Sequence, residues 1–500
     1  MKKLHIDEPE KTTPVASEQS LPDETPIIFP PVTATEKHNF RITDDALGVG
    51  SAKEKFQNNL AAIHLLHKLQ EEDRLATPDE QEILSRYVGW GGLSMAFDEQ
   101  NAAWANEHAE LKAALNPAEY MAAMESTLTA FYTPPVVIKA MYGILDKLGF
   151  SQGNILEPSC GVGNFFGLLP ESMAQSKLYG VELDPLTGGI AKQLYQNANI
   201  AVEGFEQTNL PDSHFDVVIG NVPFGDYRVD DKRYNAQNFM IHDYFFAKAL
   251  DKVRPGGVVM FITSKGTMDK ANNEVRKYIA QRAELLGAIR LPDTTFKANA
   301  GTEVTSDIII LQKRERVIDV EPDWIYLENN PDGIVINDYF VEHPDMICGE
   351  MRVEQNRFGK LEAVCKPVSD MPLEASLEYA ASFIKGSIPE REPVAIDEVS
   401  DAAQEIIEAD PNVRIFSYAV MDGKIYFREN NVMVPADVSV TAENRIKGLI
   451  EIRDCARLLI EYQSLDYSDD IVKSEQEKLN LLYDRFTEKY GLINQYFPSP

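Results

Sequence analysis

Between Phe131 and Arg316 short apolar runs alternate with stretches of helical period, and this alternation constrains the fold more than any other feature of the chain. Such a pattern predicts parallel strands in one sheet with helices on its faces, an α/β architecture. "NILEPSCGVGNFFGLL" reads as strand, glycine loop and helix. "KLYGVELD" is a second strand ending in acids, "HFDVVIGNVPF" a later one and "GGVVMFIT" another.

The glycine loop carries the first chemical signal. Gly161 and Gly163 let the backbone approach a ligand that side chains would exclude. Glu182 and Asp184 follow at the end of the next strand, where a carboxylate can accept the hydroxyls of an adenosine ribose. A nicotinamide fingerprint is not met, because Gly161, Gly163 and Gly167 are spaced one residue too long. Glu157 and Pro158 also precede the loop, and a pyrophosphate there would lie beside a carboxylate. A cationic sulfonium would not be repelled.

The second signal is "VVIGNVPFGDY", a buried strand that runs directly into Asn221, Val222, Pro223 and Phe224. With "FYTPP", "ILEPSCGVGNF", "GVELD" and "GNVPF", this stretch resembles the S-adenosylmethionine-dependent adenine methyltransferases of DNA in which the cofactor motifs precede the catalytic one. The resemblance covers about residues 120–316. "RYVGWGGL", "IHDYFFAKALDKVRPGG", "ITSKGTMDK" and "LLGAIRLPDTTFKANAGTEVTSDIIILQK" further resemble the methylase portion of the large methylase-helicase proteins of conjugative elements and phages, from about Asn39 to Gly491.

The resemblance implies a Rossmann-like class I methyltransferase sheet that binds S-adenosyl-L-methionine. The residues it assigns to the cofactor are Tyr132, Thr133, Pro134, Glu157, Pro158, Gly161, Gly163, Glu182, Asp184, Phe205 and Glu206. It implies DNA as substrate, with a helicase module or partner alongside. An adenine amine is a poor nucleophile because its lone pair is spread into the ring. The Asn221 side-chain oxygen and the Val222 carbonyl would accept its hydrogens and turn the lone pair toward the methyl group, with Pro223 stiffening the turn. Phe224 would stack on the flipped base. The sulfonium is a good leaving group, so this chemistry requires neither metal nor general base.

Two departures from the family pattern stand out. Val222 replaces the first proline of the signature, which predicts a looser turn, and Gly204-Phe205-Glu206 stands where relatives often carry Asp-Phe, shifting that acid to Glu206. Two other functions fit the same residues. One is methylation of another amine or amide such as a protein glutamine; the other is a catalytically weak, DNA-binding antirestriction module.

Composition bounds the rest. The formal charge is −31, but residues 121–316 hold 20 basic and 22 acidic side chains, so the acidity belongs to the flanks. Arg228, Lys232, Arg233, Lys265, Lys270, Arg276 and Lys277 follow the catalytic turn and are expected to face DNA, giving weak and salt-dependent binding. Cys160, Cys348, Cys365 and Cys455 are far apart, with no zinc spacing, so reduced thiols are expected and no metal. No apolar run is long enough to span a membrane and "MKKLHIDEPEKTTP" is not a signal peptide, which predicts a cytoplasmic protein.

The expected organisation is a disordered leader (1–37), a helical region (38–119), the catalytic domain (120–316), an acidic α+β region of unknown role (317–440) and a helical C-terminal region (441–500). In the helical region Phe56, Leu60, Ile63 and Leu66 share one helix face, and Thr77, Pro78 and Glu80 form a capping box. Gly89, Gly91 and Gly92 predict a tight turn around a structural Trp90. "FSYAVMDGKIYFR" predicts a hairpin turning at Asp422-Gly423, and two amphipathic helices follow as an antiparallel pair. Cys160 reads as a small buried residue, His214 and His242 as surface or capping residues, and Phe165 and Phe166 as core or cofactor shelf.

Overall fold

The computed structural model describes residues 37–46, 48–127, 132–297, 303–355, 359–391, 407–411, 413–429, 432–436, 438, 440–465 and 467–493. The expected leader, Phe131 and the last residues of the chain lie outside them, apart from Lys37.

The helical region begins with α1 (Ala52–Glu71) and α2 (Pro78–Leu84). Each starts with the capping box that satisfies its first free amides, Ser51 with Glu54 and Thr77 with Glu80. Phe56, Leu60, Ile63 and Leu66 are buried, so the apolar stripe is the packing face. Gly89 and Gly92 take positive φ (67° and 74°), and the Trp90 they flank is fully buried. Then follow α3 (Ala105–Ala114), α4 (Pro117–Ser126) and α5 (Pro135–Lys147).

The central sheet is formed by β1 (Asn154–Glu157), β2 (Lys177–Glu182), β3 (Asn199–Val202), β4 (Phe215–Asn221), β5 (Val253–Ser264), β6 (Ala283–Leu291) and β7 (Ser306–Lys313). The strand order is β3-β2-β1-β4-β5-β7-β6. β1 to β5 are parallel to one another, and β7 runs antiparallel to both β5 and β6. The parallel α/β sheet expected from the alternating pattern is therefore present, with one reversed strand inserted near its edge. Its connections include α6 (Asn164–Gly167), α7 (Pro185–Leu194), α8 (Ile241–Lys252), α9 (Gly266–Asp269) and α10 (Glu274–Arg282). β1 connects to β2 on one side and lies beside β4 on the other, so the strand order reverses between β1 and β4. In open parallel sheets a ligand crevice forms at such a point, outside the carboxyl ends of the strands.

The core does not stop at Arg316. Ile336, Phe340, Cys365, Leu377 and Ile388 join the same apolar cluster as the sheet. Backbone bonds stitch this segment on: Cys348 N–H to Arg290 O (2.9 Å), Asp293 N–H to Cys365 O (2.8 Å) and Ile388 N–H to Leu148 O (2.8 Å). Acidic composition marked a change of surface here, and the buried positions beneath it continue the domain. Ala419, Tyr426 and Met433 form a separate small cluster in a four-stranded sheet. Its hairpin turns at Asp422 and Gly423, both at positive φ, as expected. Helices Val440–Ser464 and Asp469–Tyr490 follow; Gly448 approaches Phe486 and Cys455 approaches Glu475, so the two run antiparallel.

Candidate functional site

The residues singled out after β1, β2, β3 and β4 all emerge at the carboxyl edge of the sheet. Glu157 ends β1 and is 2% exposed; its Oε2 has no hydrogen-bond partner among the described residues. Burial, together with the nearby Glu182, pushes its pKa well above the usual carboxylate range. Gly161 follows at φ +56° and its N–H donates to Glu182 Oε2 at 2.8 Å. Glu182 ends β2, and its Oε1 accepts from the Asp184 N–H at 2.9 Å. Burial raises Glu182 to about 7, against the downward pull of these backbone donors.

The two loop glycines have different reasons to be glycine. A Cβ on Gly161 would meet only the Tyr132 ring, at 3.5 Å. On Gly163, at φ +85°, it would lie 2.4 Å from Cε2 of Tyr195. Gly163 is therefore required by packing, and Gly161 is the one whose open face looks into the crevice. Asp184 is likewise committed: it caps α7, accepting from the Thr187 amide at 3.1 Å and from the Thr187 hydroxyl.

Tyr132 and Thr133 line a pocket with Asn164 at the start of α6 and with Tyr87 and Val88 from the helical region. Pro134 precedes α5 as its N-terminal boundary. Phe205 is buried, 5.1 Å from the Phe245 ring of α8 and with the Lys248 ammonium 5.0 Å from its centroid. Glu206 folds over Gly204, whose lack of a Cβ makes room for its carboxylate. Cys160, Phe165 and Phe166 are buried, in line with the core reading of each.

Asn221 ends β4 beside Ile262 of β5. One residue before it, a Cβ on Gly220 (φ +158°) would lie 3.3 Å from Cγ of Glu157. An isolated glycine inside a strand signals such a close approach, and this one was not singled out in the sequence. It sets the end of β4 directly against the end of β1. Val222 differs from expectation: its N–H donates to Ile262 O at 3.2 Å, carrying the β4–β5 ladder one residue past Asn221. A proline has no N–H for that bond. The substitution thus anchors the turn where a looser one was expected.

Two other expectations are corrected. His214 and His242 are buried, not surface residues; His214 Nε2 lies 2.9 Å from Asn154 Nδ2. Most of the basic set is consumed internally. Arg276 is fully buried on the carbonyls of Ile325, Thr267 and Lys270. Arg233 pairs with Asp212 (2.6 Å) and Asp251 (2.8 Å), Lys270 with Asp243, Lys277 with Glu321 (2.7 Å), and Lys265 meets the Ala363 carbonyl. Of the seven, Arg228 and Lys232 are exposed with no ion pair among the described residues. Paired Lys and Arg cannot be told from free ones by composition.

Residues 118–332 match the N-6 DNA methylase family. The match covers less than half of the chain. Over 261 residues it is 30% identical to the defense against restriction protein B of Escherichia phage P1, covering 51% of this chain and 10% of that protein. It is 26% identical over 205 residues to the type I restriction enzyme MjaIX methylase subunit of Methanocaldococcus jannaschii, covering 33% of this chain and 34% of the subunit. A solved class I S-adenosylmethionine-dependent methyltransferase from Listeria monocytogenes shares 20% identity over 54% of this chain and 90% of that one, with a TM-score of 0.35. The chain thus spans about a tenth of the phage relative and a third of the archaeal one. The family match ends at residue 332, inside the core that continues to Ile388. Among the described residues no cluster of potential metal ligands and no helix long and apolar enough to cross a membrane is present.

Proposed function

We propose that this chain transfers a methyl group from S-adenosyl-L-methionine to the 6-amino group of adenine in DNA. The observation that carries the proposal is the closeness of Gly220 to the Glu157 side chain, where a Cβ would lie 3.3 Å from Cγ, so that the acid ending β1 and the Asn221 turn ending β4 are neighbours at the crevice.

The residues fit such a donor. Glu157 and Glu182 are two acids with raised pKa and no cationic side chain paired with either among the described residues. A ligand bearing an ammonium and a sulfonium would supply the missing positive charge, and a ribose diol would give Glu182 hydroxyls to accept. Gly161 leaves room for the ligand beside Tyr132. When bound, the donor supplies an electrophilic methyl on a good leaving group.

This chain's own part is to orient the amine. Asn221 Oδ1 and the Val222 carbonyl would accept the two amine hydrogens, and the ladder bond to Ile262 holds Val222 while they do so. Pro223 limits the turn, and Phe224 offers a ring for the base once it leaves the stack. Phe205 and Glu206 would close the adenine side of the donor. A helicase-like partner that presents single strands would lower the cost of unstacking, in a cytoplasmic setting.

Incubation of the full chain with methyl-labelled donor, DNA and a mixture of proteins tests the reading. Label in DNA alone is the expected result. Label in protein, or in neither, would overturn it.

A further inference from the structure

Two stretches of the sequence, "IHDYFFAKALDKVRPGG" and "ITSKGTMDK", have no role in the chemistry above, and the structure joins them at one carboxylate. Asp243, in the first turn of α8, is 1% exposed. A carboxylate so buried needs partners, and both of its oxygens find them on the segment after β5. The Thr267 hydroxyl donates to Oδ1 at 3.4 Å, and the Lys270 ammonium donates to Oδ2. His242 Nε2 lies 3.7 Å from Oδ1. One side chain thus ties α8 to α9.

Each flank of the Asn221 turn hangs on one of these two elements. Before the turn, Asn221 pairs with Ile262 of β5, and the Val222 N–H donates to Ile262 O at 3.2 Å. Thr263, the next residue of β5, has its buried hydroxyl 3.3 Å from that of Thr267. After the turn, Tyr227 O accepts the Ile241 N–H at 2.9 Å. Met240 gives α8 no side-chain cap, so this carbonyl satisfies the first free amide of the helix. Residues 222–227 therefore span from the end of β5 to the start of α8. α9 is itself held: the buried Arg276 donates to Thr267 O at 3.2 Å and Lys270 O at 2.8 Å, and Asn337 Nδ2 donates to Met268 O at 2.9 Å. With α9 fixed, Asp243 sets the distance between the two anchors of the turn.

We propose that Asp243 is a positioning residue for methyl transfer: by fixing the start of α8 against the end of β5 it sets the span of the turn, and with it the Asn221 and Val222 oxygens. This rests on reading that turn as the place where the adenine amine is held.

Asp243→Ala, Asp243→Asn and Thr267→Val in the full chain test it, assayed with saturating S-adenosyl-L-methionine and single-stranded DNA well below the melting temperature of each variant. Asp243→Ala should lower turnover about ten- to a hundred-fold, the scale of a small misplacement of reacting groups. Its KM for DNA and its affinity for S-adenosylhomocysteine should stay as in wild type. Thr267→Val should lose about two- to ten-fold in turnover, the scale of one hydrogen bond. Asp243→Asn, which keeps an oxygen for the Thr267 hydroxyl, should recover most of what the alanine variant loses. Should Asp243→Ala fail to fold, Thr267→Val decides, because it keeps the branched side chain. Variants that turn over as wild type does, or whose turnover and S-adenosylhomocysteine affinity fall together, overturn the inference alone. A wild-type chain that binds S-adenosylhomocysteine but transfers no methyl group to DNA overturns the proposed function, and the inference with it.

Discussion

The Gly161 N–H donates to Glu182 Oε2 at 2.8 Å while the Asp184 N–H holds Oε1 at 2.9 Å, so one carboxylate ties the loop after β1 to the turn after β2. That acid has its pKa raised to about 7 by burial. The folded chain therefore favours its protonated form. It contributes stability that is present below the ordinary carboxylate pKa and is lost as pH rises through about 7. Ligand affinity runs in the opposite sense, because a cationic donor prefers the ionised acid. Titration calorimetry should show donor affinity falling as pH drops through that value. Glu182→Gln should bind more weakly and with a flatter pH profile; a wild-type affinity that ignores pH would contradict this role.

The two loop glycines should separate binding from stability. Gly163→Ala places a methyl against the Tyr195 ring at 2.4 Å in a left-handed backbone position, and overpacking of this kind costs about 1–3 kcal/mol. Its melting temperature should fall. Gly161→Val shares the backbone strain but projects into the crevice, so its donor affinity should drop further than that of Gly163→Ala. Melting curves and calorimetry on the two variants check the order.

Asn221→Ala should leave donor affinity intact while methyl transfer falls by at least ~100-fold, the usual order for one preorganised polar group in a transition state. Phe224→Ala should lose about 1–3 kcal/mol of base stacking, roughly ten- to a hundred-fold in DNA binding or turnover. Steady-state kinetics beside donor titration distinguish the two effects.

Arg228 and Lys232 are the exposed members of the basic set with no ion pair among the described residues, Arg228 donating from Nε to Asn238 O at 3.2 Å. Two phosphate contacts give a log-log salt slope of about −2. Removing both, as Arg228→Ala with Lys232→Ala, should flatten that slope; a steep slope that survives the double variant would place the DNA contacts elsewhere.

What the sequence revealed was local in kind. The glycine loop, the strand ends and the Thr77 capping box each depend on residues a few positions apart, and each formed as read. Relationships between distant residues were hidden. Nothing near Arg276 in sequence announces that its guanidinium is spent on Ile325. The Val222 N–H was legible as a departure from proline, but its partner Ile262 appears only once β4 and β5 are paired. Past Arg316, likewise, acidic surface residues cover a buried set that joins the apolar cluster of β6, β7 and α5, and no local pattern announces it.

Nucleoside mass spectrometry of DNA treated with the full chain and S-adenosyl-L-methionine tests the central claim most directly. One sequence should be offered both as duplex and as single strand. The expected product is 6-methyladenine, formed more readily on the single strand, where unstacking costs less, and absent with Asn221→Ala. A methylated cytosine in place of adenine, or undiminished 6-methyladenine from the Asn221 variant, would contradict it.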